Sequence, residues 1–138
     1  MNILILGSGG REHAISWKIS KSDRCSNLYI APGNAGTSLV GNNLKININD
    51  FEEVKSNVIE KSIDLVIVGP EEPLVRGIVD FFKSDKELKK IKIFGPGSDG
   101  SKLEGSKDFS KEFMFRNNIP CAKSKTFNKG NLSDGISF

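Results

Sequence analysis

Residues 2–14 read NILILGSGGREHA, and this stretch decides the fold. Ile3, Leu4, Ile5 and Leu6 form an unbroken apolar run, as expected of a strand buried on both faces. Gly7, Gly9 and Gly10 follow at once, and a helical pattern opens after them. A strand that feeds a glycine turn and then a helix is the layout of a phosphate-binding loop. Gly7 and Gly9 fit the first two positions of G-x-G-x-x-G, but the third falls on Glu12. In a dinucleotide site the third glycine lets helix and strand pack closely, and an acidic residue about 20 positions on takes the ribose hydroxyls. Here a carboxylate stands at the close-packing position, and the second apolar run ends in Ala31, Pro32 and Gly33, without Asp or Glu. Both mismatches argue against NAD or FAD. What remains is a helix start with backbone N–H groups at Gly9 and Gly10 and the guanidinium fork of Arg11, suited to a small phosphorylated or carboxylated ligand. The same glycines also suit a tight packing turn with no ligand, leaving Arg11 and Glu12 solvated.

Outward from this stretch, strand and helix patterns alternate. In REHAISWKIS, Ala14, Ile15, Trp17 and Ile19 are spaced for one helical face. NLYIA (27–31) reads as a second strand and LKINI (44–48) as a weaker third. Asp50 is placed to cap a helix whose stripe is Phe51, Val54, Val58 and Ile59. DLVIVG (64–69) is the clearest strand. A helix carrying Leu74, Ile78, Val79 and Phe82 precedes the strand IKIFG (91–95). The pattern predicts an α/β fold, with a doubly wound, mostly parallel, Rossmann-like sheet and helices on both faces.

After Gly95 the character changes. PGSDGSKLEGSK is rich in Gly and Ser and predicts one short helical turn near Lys102 and Leu103. KDFSKEFMFRNN predicts a second helix with Phe109 and Phe113 one turn apart, stopped by Pro120, and CAKSKTF suggests a strand. NKGNLSDGISF carries turn signals at Gly130–Asn131 and Asp134–Gly135 and no periodicity. We place a boundary near residue 105, giving an N-terminal α/β domain over 1–105 and the opening of another over 106–138.

Composition excludes several classes. Hydrophobic residues make up 37% and charged residues 27% of 138, ordinary for a globular chain. The net charge of +3 is spread over 20 basic and 17 acidic residues, with no basic arm, so no nucleic-acid partner is expected. Cys25 and Cys121 form no C-x-x-C pair, and reduced thiols in a cytoplasmic protein are the expectation. No basic region precedes the short N-terminal apolar run, and no run approaches the roughly 20 residues of a membrane span. A cytoplasmic location away from membranes follows as the expectation.

Two further loops join the first. APGNAGT (31–37) follows the second strand and VGPEEPL (68–74) the fourth. In the usual strand order the first and fourth strands flank the switch point, where ligands bind beyond the carboxyl ends. Gly33, Asn34, Gly36 and Thr37 from one loop, and Gly69, Pro70 and Glu71 from the other, are therefore candidate substrate contacts beside Gly9, Gly10, Arg11 and Glu12. Glu71 suits an amine or a sugar hydroxyl, or else serves the dipole of the helix it opens. His13, in the first helical turn, reads as a packing or solvated residue, not a base. No residue is assigned a catalytic role and none a metal.

GSGGREHA, APGNAGT, VGPEEPLVRGIVD and IFGPGSDGSKLEGSK together resemble the glycinamide ribonucleotide synthetases, or phosphoribosylamine–glycine ligases, over about residues 1–120. The resemblance implies an N-terminal α/β domain placed before an ATP-grasp fold, with ATP and Mg as cofactors. It implies joining of glycine to phosphoribosylamine in purine synthesis, through an acyl phosphate of glycine that the substrate amine attacks. It also implies that Lys107, in EGSK, contacts ATP phosphates; by itself Lys107 reads equally as a solvated lysine. The sequence stops at Phe138, before the family's second glycine-rich loop and its Mg-binding acidic residues. The remaining ATP-grasp portion is expected in the same or a separate chain, and residues 1–138 alone are expected to be inactive. The alternatives are a stand-alone binding module for a phosphorylated sugar or nucleotide, and a nucleotide-sugar or dinucleotide enzyme on the same sheet.

Overall fold

The computed structural model describes residues 1–127, 130 and 135–136. The turns expected at Gly130–Asn131 and Asp134–Gly135 each include a residue outside the described ones. The chain divides into two compact units, Met1–Ser101 and Lys102–Phe138.

Unit 1 is built on a five-stranded sheet of β1 (Asn2–Gly7), β2 (Asn27–Pro32), β3 (Asn42–Asn43), β4 (Leu65–Val68) and β5 (Lys92–Phe94). All pairings are parallel and the order is β3-β2-β1-β4-β5. β1 lies at the centre, with Ile5 opposite Ile30 on one side and Ile67 on the other. Its alternation serves two cores at once. Leu4 and Leu6 join Val54, Val58, Val66, Ile78 and Phe82 on one face; Ile3 and Ile5 join Leu28 and Ile30 on the other. Each such buried aliphatic side chain contributes about 1.5–3 kcal/mol relative to exposure.

Helices cover both faces. α1 (Gly10–Ile19) packs Ile15 and Ile19 on the Ile3–Ile5 face. Its inward stripe is Glu12, Ile15, Ser16 and Ile19: Ile15 and Ile19 face the core as expected, and Glu12 and Ser16 take the inward places expected for Ala14 and Trp17. Trp17 is about half exposed and carries Lys21 Nζ 3.6 Å from its ring centre. Polar Glu12 and Ser16 hold inward positions because each finds a partner there. The Ser16 hydroxyl donates to the Glu12 carbonyl at 2.7 Å.

α2 (Phe51–Glu60) starts where expected, with the Asp50 carboxylate accepting from Glu52 and Glu53 N–H at 3.1 Å. Val54 and Val58 are buried, whereas Ile59 turns outward. The single helix expected around Leu74–Phe82 is two, α3 (Glu71–Val75) and α4 (Ile78–Ser84). Gly77 divides them at φ +90°, a left-handed conformation that glycine adopts without penalty. The break lets Leu74, Ile78, Val79 and Phe82 all face the core. Lys55 ties α2 to the chain after α4, donating to Asp85 at 2.6 Å and pairing with Glu87 at 3.0 Å.

The third strand departs most from expectation. Only Asn42 and Asn43 pair with β2, and Leu44 N–H adds one bond to Ile30 O at 2.8 Å. Residues 45–48 then leave the ladder while Leu44, Ile46 and Ile48 pack on the core. Alternating apolar residues dictate which side faces inward, and an extended edge segment satisfies that without strand pairing.

α5 (Ser98–Gly105) is longer than the single turn expected. Asp80 accepts Ser98 N–H at 2.8 Å, and the Ser101 hydroxyl donates to Gly97 O at 2.9 Å. A carboxylate from another element thus anchors a Gly- and Ser-rich helix. In unit 2, α6 (Lys107–Arg116) is capped by Ser106, whose hydroxyl accepts Phe109 N–H, and Phe109 and Phe113 are half-buried. Residues 121–127 form no strand. They are held by Lys111 Nζ on Ala122 O at 2.8 Å and by the Thr126 hydroxyl on Asp108. Cys25 and Cys121 are free thiols. Among the described residues no helix is long and apolar enough to cross a membrane.

Candidate functional site at the carboxyl edge of the sheet

The loops after β1, β2 and β4 meet at the carboxyl ends of their strands, where β1 lies between β2 and β4. Backbone bonds continue the ladder into them: Gly33 N–H donates to Gly7 O at 3.2 Å and Gly69 N–H to Leu6 O at 3.0 Å. Gly7 and Gly33 have φ of +130° and +73°, positions that favour glycine.

Glu12 organises the first loop from within. It is only 4% exposed. One carboxylate oxygen accepts Gly9 N–H at 2.7 Å, and the other accepts Arg11 Nε at 3.2 Å. Gly9 is the N-cap of α1 and has no side chain to cap with, so the Glu12 carboxylate on its N–H is one half of a capping box. Its expected place among ligand-facing groups gives way to a place beneath the loop. Arg11 is different: its side chain is 63% exposed, with Nε tied to Glu12 and the outer edge of the guanidinium turned to solvent. The backbone N–H groups of Gly10 and Arg11 have no acceptor among the described residues, as first-turn donors characteristically lack one.

The second loop is a closed polar knot. Asn34 Oδ1 accepts Gly36 N–H at 2.8 Å and Thr37 N–H at 3.0 Å, and its Nδ2 donates to Ser8 O at 2.8 Å. Thr37 is fully buried; its hydroxyl accepts Asn34 N–H and donates to Asn43 Oδ1, both at 2.7 Å. Asn43 Nδ2 completes the knot on Asn34 O at 2.8 Å. Of the two expected substrate contacts, Asn34 spends its side chain on closing this loop and holding it against the first one, and Thr37 spends its hydroxyl on Asn34 and Asn43. Asn43 belongs to the group and escaped sequence reasoning. Its signal, an Asn–Asn pair opening a strand, becomes meaningful only once the loop closes over it. Gly36 lies so near His13 that an added Cβ would come 2.4 Å from the ring, so the histidine packs on the glycine.

In the third loop, Gly69 lies against Glu12, and Pro70 caps α3. Glu71 is exposed in the first turn of α3, with no hydrogen bond or ion pair among the described residues. The ligand-ready groups of the edge are thus the Gly10 and Arg11 N–H groups, the Arg11 guanidinium and Glu71. This set can bind an anion and an amine or hydroxyl. It holds no nucleophile beside a base.

A groove of about 450 Å³ opens at the opposite end of the sheet, beside Val58, Ile63, Asp64, Glu87 and Lys90. Its carboxylates are already engaged, Asp64 by Asn2 N–H at 2.7 Å and Glu87 by Lys55. The chemistry of the loops, not the size of this groove, points to the carboxyl edge. In unit 2, a cleft of about 340 Å³ is lined by Lys107, Lys111, Lys125 and Thr126 together with the acidic Glu104 and Asp108. Lys107 is exposed in the first turn of α6, without a hydrogen bond or ion pair among the described residues.

Comparison with known proteins bears on both units. The family described as phosphoribosylglycinamide synthetase, N domain, matches residues 1–104. The chain is 48% identical over 128 residues to the phosphoribosylamine–glycine ligase of Mesorhizobium japonicum, covering 93% of this chain and 29% of that protein. It is 46% identical over 127 residues to the ligase of Clostridium acetobutylicum, covering 92% and 30%. A crystal structure of phosphoribosylamine–glycine ligase from Thermotoga maritima superposes with a TM-score of 0.65 at 27% identity, over 99% of this chain and 30% of that one. The chain thus spans about 30% of the length of such relatives. A Rossmann-like sheet whose glycine loop closes on its own glutamate, matched from its first strand into α5, belongs to the phosphoribosylglycinamide synthetase N-domain family.

Proposed function

We propose that the chain forms the N-terminal part of an ATP-dependent ligase that joins glycine to 5-phosphoribosylamine, giving glycinamide ribonucleotide, ADP and phosphate in purine biosynthesis. The observation that carries this is the set of free groups at the carboxyl edge, in a chain whose relatives bear that ligase's name. The sugar phosphate sits on the Gly10 and Arg11 N–H groups and the outer edge of the Arg11 guanidinium. Glu71 takes the amine or a ribose hydroxyl. Gly33, Gly36, Gly69 and Pro70 shape the walls, while Glu12, Asn34 and Thr37 hold the loops in place. These residues bind and orient.

ATP supplies the phosphoryl group that activates the glycine carboxylate. The lysines of the unit 2 cleft fit its phosphates, with Lys107 the foremost because its ammonium is exposed and without an ion pair among the described residues. Among the described residues no three His, Cys, Asp or Glu gather to hold a metal, and the Mg ligands are proposed to lie beyond residue 138. A cytoplasmic location belongs to the same proposal.

The test measures phosphate release with ATP, glycine and phosphoribosylamine. Residues 1–138 alone are expected to give none. The same residues joined to the remaining sequence of the Clostridium acetobutylicum relative are expected to turn over. Turnover by residues 1–138 alone would put the catalytic apparatus in the wrong half. A fused protein that folds and binds ATP yet never consumes phosphoribosylamine would favour a binding module.

A further inference from the structure

Glu12 fills a space that three glycines leave open. A Cβ added at Gly7 would come 2.6 Å from Glu12 Cγ, one at Gly9 2.9 Å from Oε2, and one at Gly69 2.3 Å from Oε1. Gly7 ends β1 and Gly69 follows β4, so the carboxylate occupies the crevice between the ends of two neighbouring strands. In open parallel sheets that crevice is the switch point, where the pyrophosphate of a dinucleotide settles. Here it holds a buried carboxylate that has also taken the Gly9 N–H.

We propose that Glu12 is a specificity-determining residue. Its carboxylate plugs the switch-point crevice, so the loop accepts a single phosphate monoester on its outer donors and rejects a diphosphate. The inference rests on the sugar-phosphate reading of this same loop. A monoester reaches the Gly10 and Arg11 N–H groups and the guanidinium without entering the crevice. A diphosphate must place its second phosphate either against the Glu12 carboxylate or out in solvent. The first choice sets like charges together in a partly desolvated site, and the second gains no bond. Arg11 belongs to the same device: Glu12 holds its Nε, which leaves the far edge of the fork facing outward.

The experiment titrates ¹⁵N-labelled residues 1–138 with ribose 5-phosphate and with ADP-ribose, following the Gly9, Gly10 and Arg11 amide signals. Ribose 5-phosphate is expected to shift them saturably, and ADP-ribose to bind there at least about tenfold more weakly, the scale of one like charge at close range. In Glu12→Gln, which keeps the bulk and removes the charge, the ratio of the two affinities should fall by about tenfold. Glu12→Met, of similar length and without hydrogen-bonding demand, repeats the test should the glutamine variant fail to fold. Equal affinities in the unsubstituted chain, or a ratio unmoved in the variants, would overturn the role of Glu12 while leaving the sugar-phosphate site standing. Absence of any shift with ribose 5-phosphate would remove both together.

Discussion

If Glu12 is a plug fitted to its glycines, a single methyl group at Gly69 should dislodge it. Gly69 has an ordinary backbone conformation, and its N–H bond to Leu6 O survives substitution, so Gly69→Ala carries no strain of its own. The added carbon would meet three atoms of one side chain, Oε1 at 2.3 Å, Cγ at 2.6 Å and Cδ at 2.7 Å. Glu12 is buried and cannot yield by a rotamer change without leaving Gly9 N–H. Overpacking costs about 1–3 kcal/mol. Loss of a hydrogen bond to a charged group costs about 1.5–3 kcal/mol. The stiffer unfolded chain returns about 0.4–1 kcal/mol. Glu12 either stays and is overpacked or swings away and loses the bond, so the net expectation is a loss of about 1–3 kcal/mol. Gly10→Ala is the control, since nothing lies within 4 Å of its added Cβ, and it should stay within about 0.5 kcal/mol of the parent. Adding Glu12→Ala to Gly69→Ala should make the pair less damaging than the sum by about 1–3 kcal/mol, because the clash goes with the side chain. Urea unfolding followed by far-ultraviolet circular dichroism measures the parent, the three single variants and the double variant. A Gly69→Ala protein as stable as its parent, or a Gly10→Ala protein equally damaged, would refute the plug.

Two other outcomes follow from the same contacts. Arg11→Ala should weaken ribose 5-phosphate binding by about 1.5–3 kcal/mol in calorimetry, and an unchanged affinity would take Arg11 out of the site. The Asp85 carboxyl is held below the usual carboxylate range, first by the Lys55 hydrogen bond and then by Leu88 N–H. A depressed folded-state value contributes stability that is present above the unfolded value, near 3.9, and lost as pH falls through the folded one. Asp85→Asn should therefore lie furthest below its parent in stability at neutral pH and converge with it in acid. A gap that stays constant down to pH about 2 would sink the assignment. Lys55, raised by its hydrogen bonds to Asp85 and Glu87, stays charged from acid to neutral pH, so the pH dependence of the gap comes from the Asp85 carboxyl.

The parts of the fold visible in sequence are those written in local pattern. ILIL, LVIV and the Asp50 cap each carry their signal within a few residues, and the strands and the start of α2 stand where that signal puts them. The parts that were hidden depend on contacts across the chain. Trp17 looked like a core residue because size and spacing suited it, yet α1 turns Glu12 and Ser16 inward because polar partners wait there. LKINI alternates as a strand does, and only the place where the β2 ladder runs out distinguishes it from an extended edge. α5 is anchored at its first residue by Asp80, a residue of another helix. The sequence could place Arg11 and Glu71 at the carboxyl edge. It could not show that the Thr37 hydroxyl would be taken by Asn43, or the Asn34 side chain by the backbone of Ser8, Gly36 and Thr37.

The glycines of the first loop make the general point. In a phosphate loop, glycine is read as room for a ligand to approach the backbone. Gly7, Gly9 and Gly69 do make room, but the occupant is Glu12 of the same chain. No count of glycines separates the two cases, because both need the missing side chain for the same steric reason. What separates them is the residue at the third position of the pattern and its reach. A glutamate one helical turn in from the loop is long enough to fold back to Gly9 N–H and to span the ends of β1 and β4. Once it does so, the innermost donor and the crevice are both occupied, and any anion must bind one step further out. The loop thus keeps the helix start and the guanidinium of a phosphate site while giving up the depth that a second phosphate needs.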